Sequence, residues 1–314
     1  MDKFNPVDMS VWQGRQDPED GELALRWHDK VQPWPQAGRA APGVALVGFA
    51  CDEGVRRNKG RVGAAGAPLA VRKLLANSAW HLGRPVYDCG DVNCEDGDLD
   101  AAHGRLAERV ARLLDEGHFP LVLGGGHEVA FGSWSGLNLH LAGRGRVGII
   151  NFDAHFDLRM KLEQASSGTP FFQIAEQCAA QGSPFTYACL GVAETANTRA
   201  LFARAEALGV WHVLDEAMTP AELPVLLSGL DAFIARCDHL YLTIDLDVLP
   251  AAVMPGVSAP AARGVELAVI EPLIAHIRAS GKLRLADLAE YNPSLDQDNR
   301  SARVAARLVH QLTK

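Results

Sequence analysis

The sequence predicts a single α/β domain in which helices cover both faces of a parallel β-sheet. From about residue 43, eight short runs rich in β-branched and other apolar residues alternate with amphipathic stretches, and this alternation is typical of a parallel sheet. The 314-residue chain is 48% hydrophobic and 22% charged, which provides enough apolar material for one large core. We therefore expect one domain over residues 1–314, with residues 1–42 as an irregular N-terminal arm rich in proline and charge.

The candidate strands justify this fold class one by one. In chain order they are VALVGFA, PVYDCGD, PLVLGG, VGIINFD, YACLGV, VWHVL, LYLTIDLD and LRLADLAEYN. In two of the other stretches, apolar residues recur with the 3.6-residue period of an α-helix. Leu106, Val110 and Leu113 share one stripe over residues 99–116, and a closing helix contains Leu308 and Val309. No internal repeat or long linker interrupts the pattern, so the elements belong to one unit.

Composition excludes several classes of partner. The formal net charge of -8 argues against nucleic acid, because phosphate binding needs a basic surface. No apolar run approaches the roughly 20 residues of a membrane span, and the N-terminus does not resemble a signal peptide, so we expect a cytoplasmic protein without membrane contact. The 6 cysteines are scattered without short paired spacings, which predicts reduced thiols. A small polar substrate fits this composition best.

Polar motifs follow three of the predicted strands at the points where they end. They supply six candidate metal ligands: His127 after PLVL, then Asp153, His155 and Asp157 after VGIINF, then Asp245 and Asp247 after LYLTI. In open parallel sheets the carboxyl ends of the strands converge on one cleft. Alternate spacing also places the side chains of an extended segment on one side. We therefore expect all six side chains to meet.

The chemistry of this set indicates a pair of divalent ions. Imidazole with carboxylate suits manganese, and four aspartates exceed what one ion requires. Gathered without cations, the aspartates would repel one another. Asp-x-Asp alone is common in turns, and glycines before a histidine often only permit a tight turn; the joint occurrence of three motifs favours the metal interpretation. Two ions that activate water define a hydrolase.

Three segments are similar to the signatures of the ureohydrolase family, which includes arginase, agmatinase and formimidoylglutamase. They are GGGHE at 124–128, NFDAHFD at 151–157 and TIDLDVLP at 243–250, and the resemblance extends over about residues 43–312. The resemblance implies a three-layer α/β/α sandwich with an eight-stranded parallel sheet. It also implies two Mn²⁺ per subunit.

The resemblance assigns roles to the candidate residues. It implies that the first ion is held by His127, Asp153, Asp157 and Asp245, and the second by Asp153, His155, Asp245 and Asp247. Asp153 and Asp245 would then bridge the two ions. Asp157 would also act as general acid/base. Glu290, in AEYNP, resembles the family glutamate that pairs with the cationic substrate nitrogen; the alternative is a surface carboxylate.

Two further segments resemble the formimidoylglutamase branch of the family in particular. They are GVRRNKGRVGA at 54–64 and SSGTPF at 166–171. Arginase and agmatinase normally carry a proton-shuttling histidine near the second segment, whereas here no histidine lies between His155 and His212. N-Formimidoyl-L-glutamate has two carboxylates, which arginine can bind through paired hydrogen bonds. The candidate substrate-binding residues are Arg56, Arg57, Lys59, Arg61, Arg159 and Ser167; the alternative for the basic ones is a solvated loop.

The expected reaction is hydrolysis of N-formimidoyl-L-glutamate to L-glutamate and formamide, a late step of histidine breakdown. Three alternatives remain open. A guanidino ureohydrolase of agmatinase or guanidinobutyrase type would release urea. A deacetylase-like enzyme with one zinc would leave several aspartates unexplained, and a non-catalytic scaffold would not need clustered carboxylates. The subunit count is open, and a homo-oligomer is compatible with the sequence.

Overall fold

A computed structural model describes residues 4–5, 7–35 and 40–314, and its core is one large β-sheet. The strands are β1 (Phe4–Asn5), β2 (Val31–Pro33), β3 (Val44–Ala50), β4 (Val86–Asn93), β5 (Phe119–Leu123), β6 (Val147–Phe152), β7 (Thr186–Val192), β8 (Trp211–Leu214), β9 (His239–Asp245) and β10 (Leu283–Ala289). The order across the sheet is β1-β4-β3-β5-β10-β9-β6-β7-β8, with β2 also beside β4. The strand pairs are parallel apart from β1 with β4.

The parallel sheet predicted from the sequence is confirmed, and its eight predicted strands are β3 to β10. The sheet is larger than eight strands, because β1 and β2 from the N-terminal arm also join it. The arm is therefore not irregular throughout. It is fastened to the sheet by Trp12, whose indole N–H donates to Asp88 Oδ2 at 2.8 Å. Arg72 also binds Asp88, with its Nε 2.8 Å from Asp88 Oδ2.

Helices cover both faces of the sheet. They are α1 (Trp27–Lys30), α2 (Glu53–Arg57), α3 (Ala67–Ala76), α4 (Leu99–Asp115), α5 (Val129–Leu141), α6 (Pro170–Ala180), α7 (Arg199–Ala207), α8 (Leu223–Ala235), α9 (Leu267–Ala279) and α10 (Arg300–Thr313). Short 3-10 turns occupy Met9–Val11, Pro18–Ala24, Ala64–Gly66, Glu194–Ala196, Asp215–Ala217, Pro220–Glu222, Leu246–Val248 and Pro293–Leu295. No helix in the described ranges is long and apolar enough to cross a membrane.

Two hydrophobic cores lie on opposite faces of the sheet. Helices α3, α8, α9 and α10 pack on one face, and α4, α5, α6 and α7 on the other. Strand β3 shows why both faces are covered: Leu46 belongs to the first core, whereas its neighbours Ala45 and Val47 belong to the second. Because side chains alternate between faces, a strand apolar at every position must be buried on both sides.

The register of the central strands sets the positions of the polar motifs. Strands β5, β10, β9 and β6 are consecutive in the sheet. Ala289 of β10 pairs with Asp245 of β9, and Phe152 of β6 pairs with Ile244. The residues that follow these strands therefore emerge at the same level of one edge, as expected for the ligand-binding edge of a parallel sheet.

Candidate metal centre

The loop that carries His127 depends on a glycine at position 125. A Cβ on Gly125 would lie 1.6 Å from the carbonyl oxygen of Cys51, so no other residue permits this approach of the loop to the end of β3. The Gly126 N–H donates to the same carbonyl at 3.0 Å. The glycine run thus holds the start of α5 against the sheet edge and directs His127 towards the aspartates of β6 and β9.

The first group of ligand atoms surrounds one imidazole nitrogen. His127 Nδ1 lies 3.0 Å from Asp153 Oδ2, 2.9 Å from Asp157 Oδ2 and 3.1 Å from Asp245 Oδ2. Despite these distances, the buried Nδ1 has no hydrogen-bond partner in suitable geometry. One N–H could not satisfy three carboxylates, whereas a cation among the four ligand atoms, which all lie within 4.8 Å of one another, would satisfy every one of them. The residues present therefore fit a divalent metal ion.

A second group lies beside the first and shares Asp153. His155 Nδ1 is 3.0 Å from Asp247 Oδ2 and 3.5 Å from Asp153 Oδ1. Asp153 faces His127 with Oδ2 and His155 with Oδ1, so its two oxygens belong to both groups. Among the described residues Asp245 clusters with the first group alone, whereas the resemblance placed it in both. The structure thus brings all six predicted ligands together in two adjoining sets.

Electrostatics also favour cations at this edge. Burial raises the pKa of Asp157, and the charge of Asp153 raises it further. Burial and the charges of Asp247 and Asp153 hold the pKa of Asp245 well above its ordinary value. For Asp153, burial is outweighed by contact with His127 and His155, and its pKa is lowered. The carboxylates thus depend on imidazolium protons for compensation, a role that divalent ions fill with more charge.

Two non-glycine residues of the site adopt left-handed backbone conformations. Asp157 has φ 46° and Glu290 has φ 65°. Such conformations cost on the order of 1 kcal/mol or more and persist where the surroundings enforce them. Here the Glu290 N–H donates to Gly125 O at 2.8 Å, and Glu290 Oε1 accepts the His127 N–H at 2.9 Å. Glu290 is therefore fixed to the loop that carries His127.

Glu290 is buried beside the ligands, which excludes the alternative that it is a surface carboxylate. It is 7% exposed and lines the same cavity as Asp157 and Asp245. Burial, together with the charge of Glu128, raises the pKa of Glu290 to about 8. A cationic group in the cavity would reverse this effect by favouring the ionised carboxylate.

The cavity over the ligands, here called the metal cavity, has a volume of about 430 Å³. Four of the predicted substrate-binding residues line it: Lys59, Arg61, Arg159 and Ser167. The guanidinium of Arg61 already donates hydrogen bonds to backbone carbonyls, to Ser258 O at 2.9 Å and to Val257 O at 2.7 Å. Lys59 and Arg159 are thus the cationic side chains best placed to meet an anionic ligand.

Arg56 and Arg57, the other two predicted substrate-binding residues, are held by an acidic side chain of their own helix. Both follow Glu53 by a helical turn, and both bind its carboxylate, Arg57 with Nε 2.7 Å from Glu53 Oε1. Arg57 also donates to Gly97 O at 2.8 Å. Neither lines the metal cavity; they line an adjoining cavity of about 820 Å³ that shares Lys59 and Arg159 with it. We call this second space the outer cavity.

Several residues that sequence reasoning missed hold the ligands in place. Asn151 Nδ2 donates to Asp153 Oδ2 at 2.9 Å. Asn197 binds the backbone of the loop after β6. Its Oδ1 accepts a hydrogen bond from the Phe156 N–H at 3.1 Å, and its Nδ2 donates to Ala154 O at 2.9 Å. Asn151 could have been found, because it lies two positions before Asp153 and so on the same side of the strand. Asn197 carries no such signal.

Fold and site together have the features of a metal-dependent hydrolase of the α/β/α sandwich class, with candidate ligands at the carboxyl edge of a parallel sheet. The particular family follows from comparison with known proteins. A model of the family described as "Arginase family" matches residues 42–314, and the chain belongs to that family.

Relatives and solved structures agree with this assignment. A curated protein from Aeromonas hydrophila subsp. hydrophila, named formimidoylglutamase, is 98% identical over 314 residues, which is 100% of both chains. The crystal structure of formimidoylglutamase from Bacillus subtilis matches with a TM-score of 0.83 at 22% identity, covering 96% of this chain and 93% of that chain. A Trypanosoma cruzi formiminoglutamase variant solved with Mn²⁺ matches with a TM-score of 0.77 at 26% identity, and the match covers 88% of this chain and 94% of that chain.

Proposed function

We propose that the protein hydrolyses N-formimidoyl-L-glutamate to L-glutamate and formamide, using two Mn²⁺ per chain. The observation that carries this proposal is the joint presence, around one cavity, of two candidate ligand groups, a buried glutamate and the cationic side chains of Lys59 and Arg159. The identity of 98% with a protein named formimidoylglutamase supports the same substrate. We further propose that the protein acts in the cytoplasm in histidine degradation, as one domain.

The charge arrangement of the cavity suits a substrate with anionic and cationic ends. The substrate carries two carboxylates on its glutamate part and a positively charged formimidoyl group. Lys59 and Arg159 lie where the metal cavity meets the outer cavity, whereas Glu290 lies beside the ligand groups. A substrate bound with its carboxylates towards Lys59 and Arg159 would therefore place its formimidoyl group beside Glu290 and the metal ligands.

The metals would be held by the two ligand groups described above. His127, Asp153, Asp157 and Asp245 would hold one ion, and Asp153, His155 and Asp247 the other. When bound, a manganese pair supplies Lewis acidity and lowers the pKa of water, so that a nucleophile is available at neutral pH. Manganese is the ion found with the similar Trypanosoma cruzi structure.

Two carboxylates of the chain would handle the substrate itself. The nitrogen of glutamate must gain a proton as its bond to the formimidoyl carbon breaks. Asp157 lines the cavity, so its carboxylate can take that proton from the attacking water and carry it to the leaving nitrogen. Glu290, buried and fixed by the His127 N–H, would pair with the cationic formimidoyl nitrogen and orient it.

A substrate panel tests the proposal. Manganese-loaded protein is incubated separately with N-formimidoyl-L-glutamate, agmatine, L-arginine and guanidinobutyrate, and glutamate, formamide and urea are quantified. We expect equal amounts of glutamate and formamide from the first substrate and negligible urea from the others. Urea from agmatine or guanidinobutyrate, without formamide from the first substrate, would instead establish a guanidino ureohydrolase. An Asp245→Ala variant is the inactive control.

A further inference from the structure

Lys59, one of the two cationic residues assigned to the substrate, is part of a short loop after helix α2. We call residues 58–63 the Lys59 loop. Lys59 has φ 61°, a left-handed conformation that is costly for a residue with a Cβ and persists where the surroundings enforce it. Its N–H donates to Arg56 O at 3.1 Å, and its side chain lines both cavities. The contacts that hold this loop therefore decide where Lys59 lies.

The amide of Asn292 holds the Lys59 loop to the segment that follows β10. Its Nδ2 donates to Arg61 O and to Val62 O, both at 3.0 Å. Its Oδ1 accepts the Ser294 N–H at 3.0 Å and the Ser294 hydroxyl at 2.5 Å. These four hydrogen bonds use both N–H groups and both acceptor positions of the amide. Asn292 is 0% exposed, so water cannot take the place of its donors.

Arg61 attaches the same loop to a second neighbouring segment. Its backbone N–H donates to Ser258 Oγ at 2.8 Å, and its guanidinium donates to Ser258 O at 2.9 Å and to Val257 O at 2.7 Å. That segment is in turn bound to Asn292, whose N–H donates to Gly256 O at 2.8 Å. The Lys59 loop and the two segments therefore form one hydrogen-bonded unit.

This unit connects the two ends of the proposed substrate site. Glu290 lies two residues before Asn292, and Lys59 lies two residues before Arg61, so the Asn292 amide fixes the Lys59 loop relative to Glu290. The side-chain carboxylate of glutamate is farther from the formimidoyl group than the α-carboxylate is. With the formimidoyl group beside Glu290, this farther carboxylate is the one that reaches Lys59, where the metal cavity meets the outer cavity. A cation already held in place binds it without the cost of ordering a loop.

We propose that Asn292 is a positioning residue that acts through the Lys59 loop to set the length of the diacid that the metal cavity accepts. The inference rests on the proposed function and deepens it, because it names a residue that favours the glutamate derivative over a substrate one methylene shorter. Asn292 is not among the described residues that line the metal cavity, so its effect on the substrate is indirect.

A double-mutant cycle of Lys59→Met and Asn292→Asp tests the inference. Manganese-loaded proteins are assayed for kcat/KM with N-formimidoyl-L-glutamate and with N-formimidoyl-L-aspartate, which is one methylene shorter. Wild-type protein should prefer the glutamate derivative by about 10- to 100-fold, because the shorter chain leaves its carboxylate out of reach of Lys59. Aspartate has the size of asparagine but lacks its N–H donors, so Asn292→Asp releases the loop. Each single change should lower the preference about 10-fold, and the double variant no further, because both act on one contact.

Ser294→Ala is the matched control. It removes one hydrogen bond from the acceptor side of the same amide and leaves both Nδ2 donations, so it should lower Tm and keep the wild-type preference. If Asn292→Asp fails to fold, Arg61→Met replaces it in the cycle with the same expectation, because it removes the second attachment of the loop.

The preference ratio separates the outcomes. The inference would be overturned by a wild-type protein without preference, by an unchanged ratio in the loop variant, by additive losses in the double variant, or by an equal loss in Ser294→Ala. None of these results would affect the proposed function, because formamide would still be released from the glutamate derivative. Wild-type protein that releases formamide from neither substrate would overturn the proposed function and this inference with it.

Discussion

Substitution of Arg159 by methionine is expected to weaken substrate binding while leaving the chemical step unchanged. The Arg159 N–H donates to Gly168 O at 2.8 Å, and a Cβ on Gly168 would lie 2.7 Å from Arg159 Cδ, so the side chain packs against the backbone of the 166–169 turn. The guanidinium lines both cavities. A hydrogen bond to a charged group contributes about 1.5–3 kcal/mol, and about 1.4 kcal/mol corresponds to a factor of ten. We therefore expect kcat/KM to fall about 10- to 100-fold.

Steady-state assays of formamide release separate this role from general damage. Arg159→Met should raise KM and leave kcat near the wild-type value, because the contact is the same in the ground and transition states. Arg56→Met is the matched control: Arg56 belongs to the same basic set but is bound to Glu53 outside the metal cavity, so its kinetics should resemble wild type. Equal losses in both variants, or a fall in kcat with unchanged KM for Arg159→Met, would refute this assignment.

Three further changes have defined outcomes. Asp153→Ala should abolish binding of both ions, measured as manganese per chain by elemental analysis, because its two oxygens belong to both groups; an unchanged metal content would contradict the bridging role. Glu290→Gln should keep both ions and lower kcat/KM about 10- to 100-fold, since the amide can still accept the His127 N–H but loses the charge. Burial lowers the pKa of His103 to about 4, so the unfolded chain binds more protons between pH 4 and the ordinary value of 6.5, and stability falls as pH drops through that window. From pH 7 to 4.5, metal-free His103→Leu should lose about 2–3 kcal/mol less unfolding free energy than metal-free wild type in urea titrations, and parallel losses would exclude His103 as the cause.

The strands and the clustering of the six candidate metal ligands were predictable because both leave local patterns in the sequence. The eight predicted strands are rich in β-branched and other apolar residues, which is the pattern of strands buried on both faces. The strands β1 and β2 are too short to show a pattern, at 2 and 3 residues, and they depend on pairing with β4. The six candidate ligands lie together as expected because they follow strands whose ends must converge in any parallel sheet.

Features that depend on tertiary register or on competing partners were not predictable. Arg56 and Arg57 matched a diacid-binding loop by composition, but Glu53 one helical turn earlier binds both side chains. The hydrogen bond from Tyr241 to Asp287 exists only because β9 and β10 pair in one register, which neither segment encodes alone. A shift of one residue would have turned Asp287 to the opposite face.

Anomalous diffraction at the manganese edge, from crystals grown with Mn²⁺, tests the central claim most directly. The ligand geometry predicts two peaks per chain, one adjoining His127 Nδ1 and the other His155 Nδ1, with Asp153 in contact with both. A single peak, or none, with those side chains ordered would contradict the two-ion site on which the proposed hydrolysis depends.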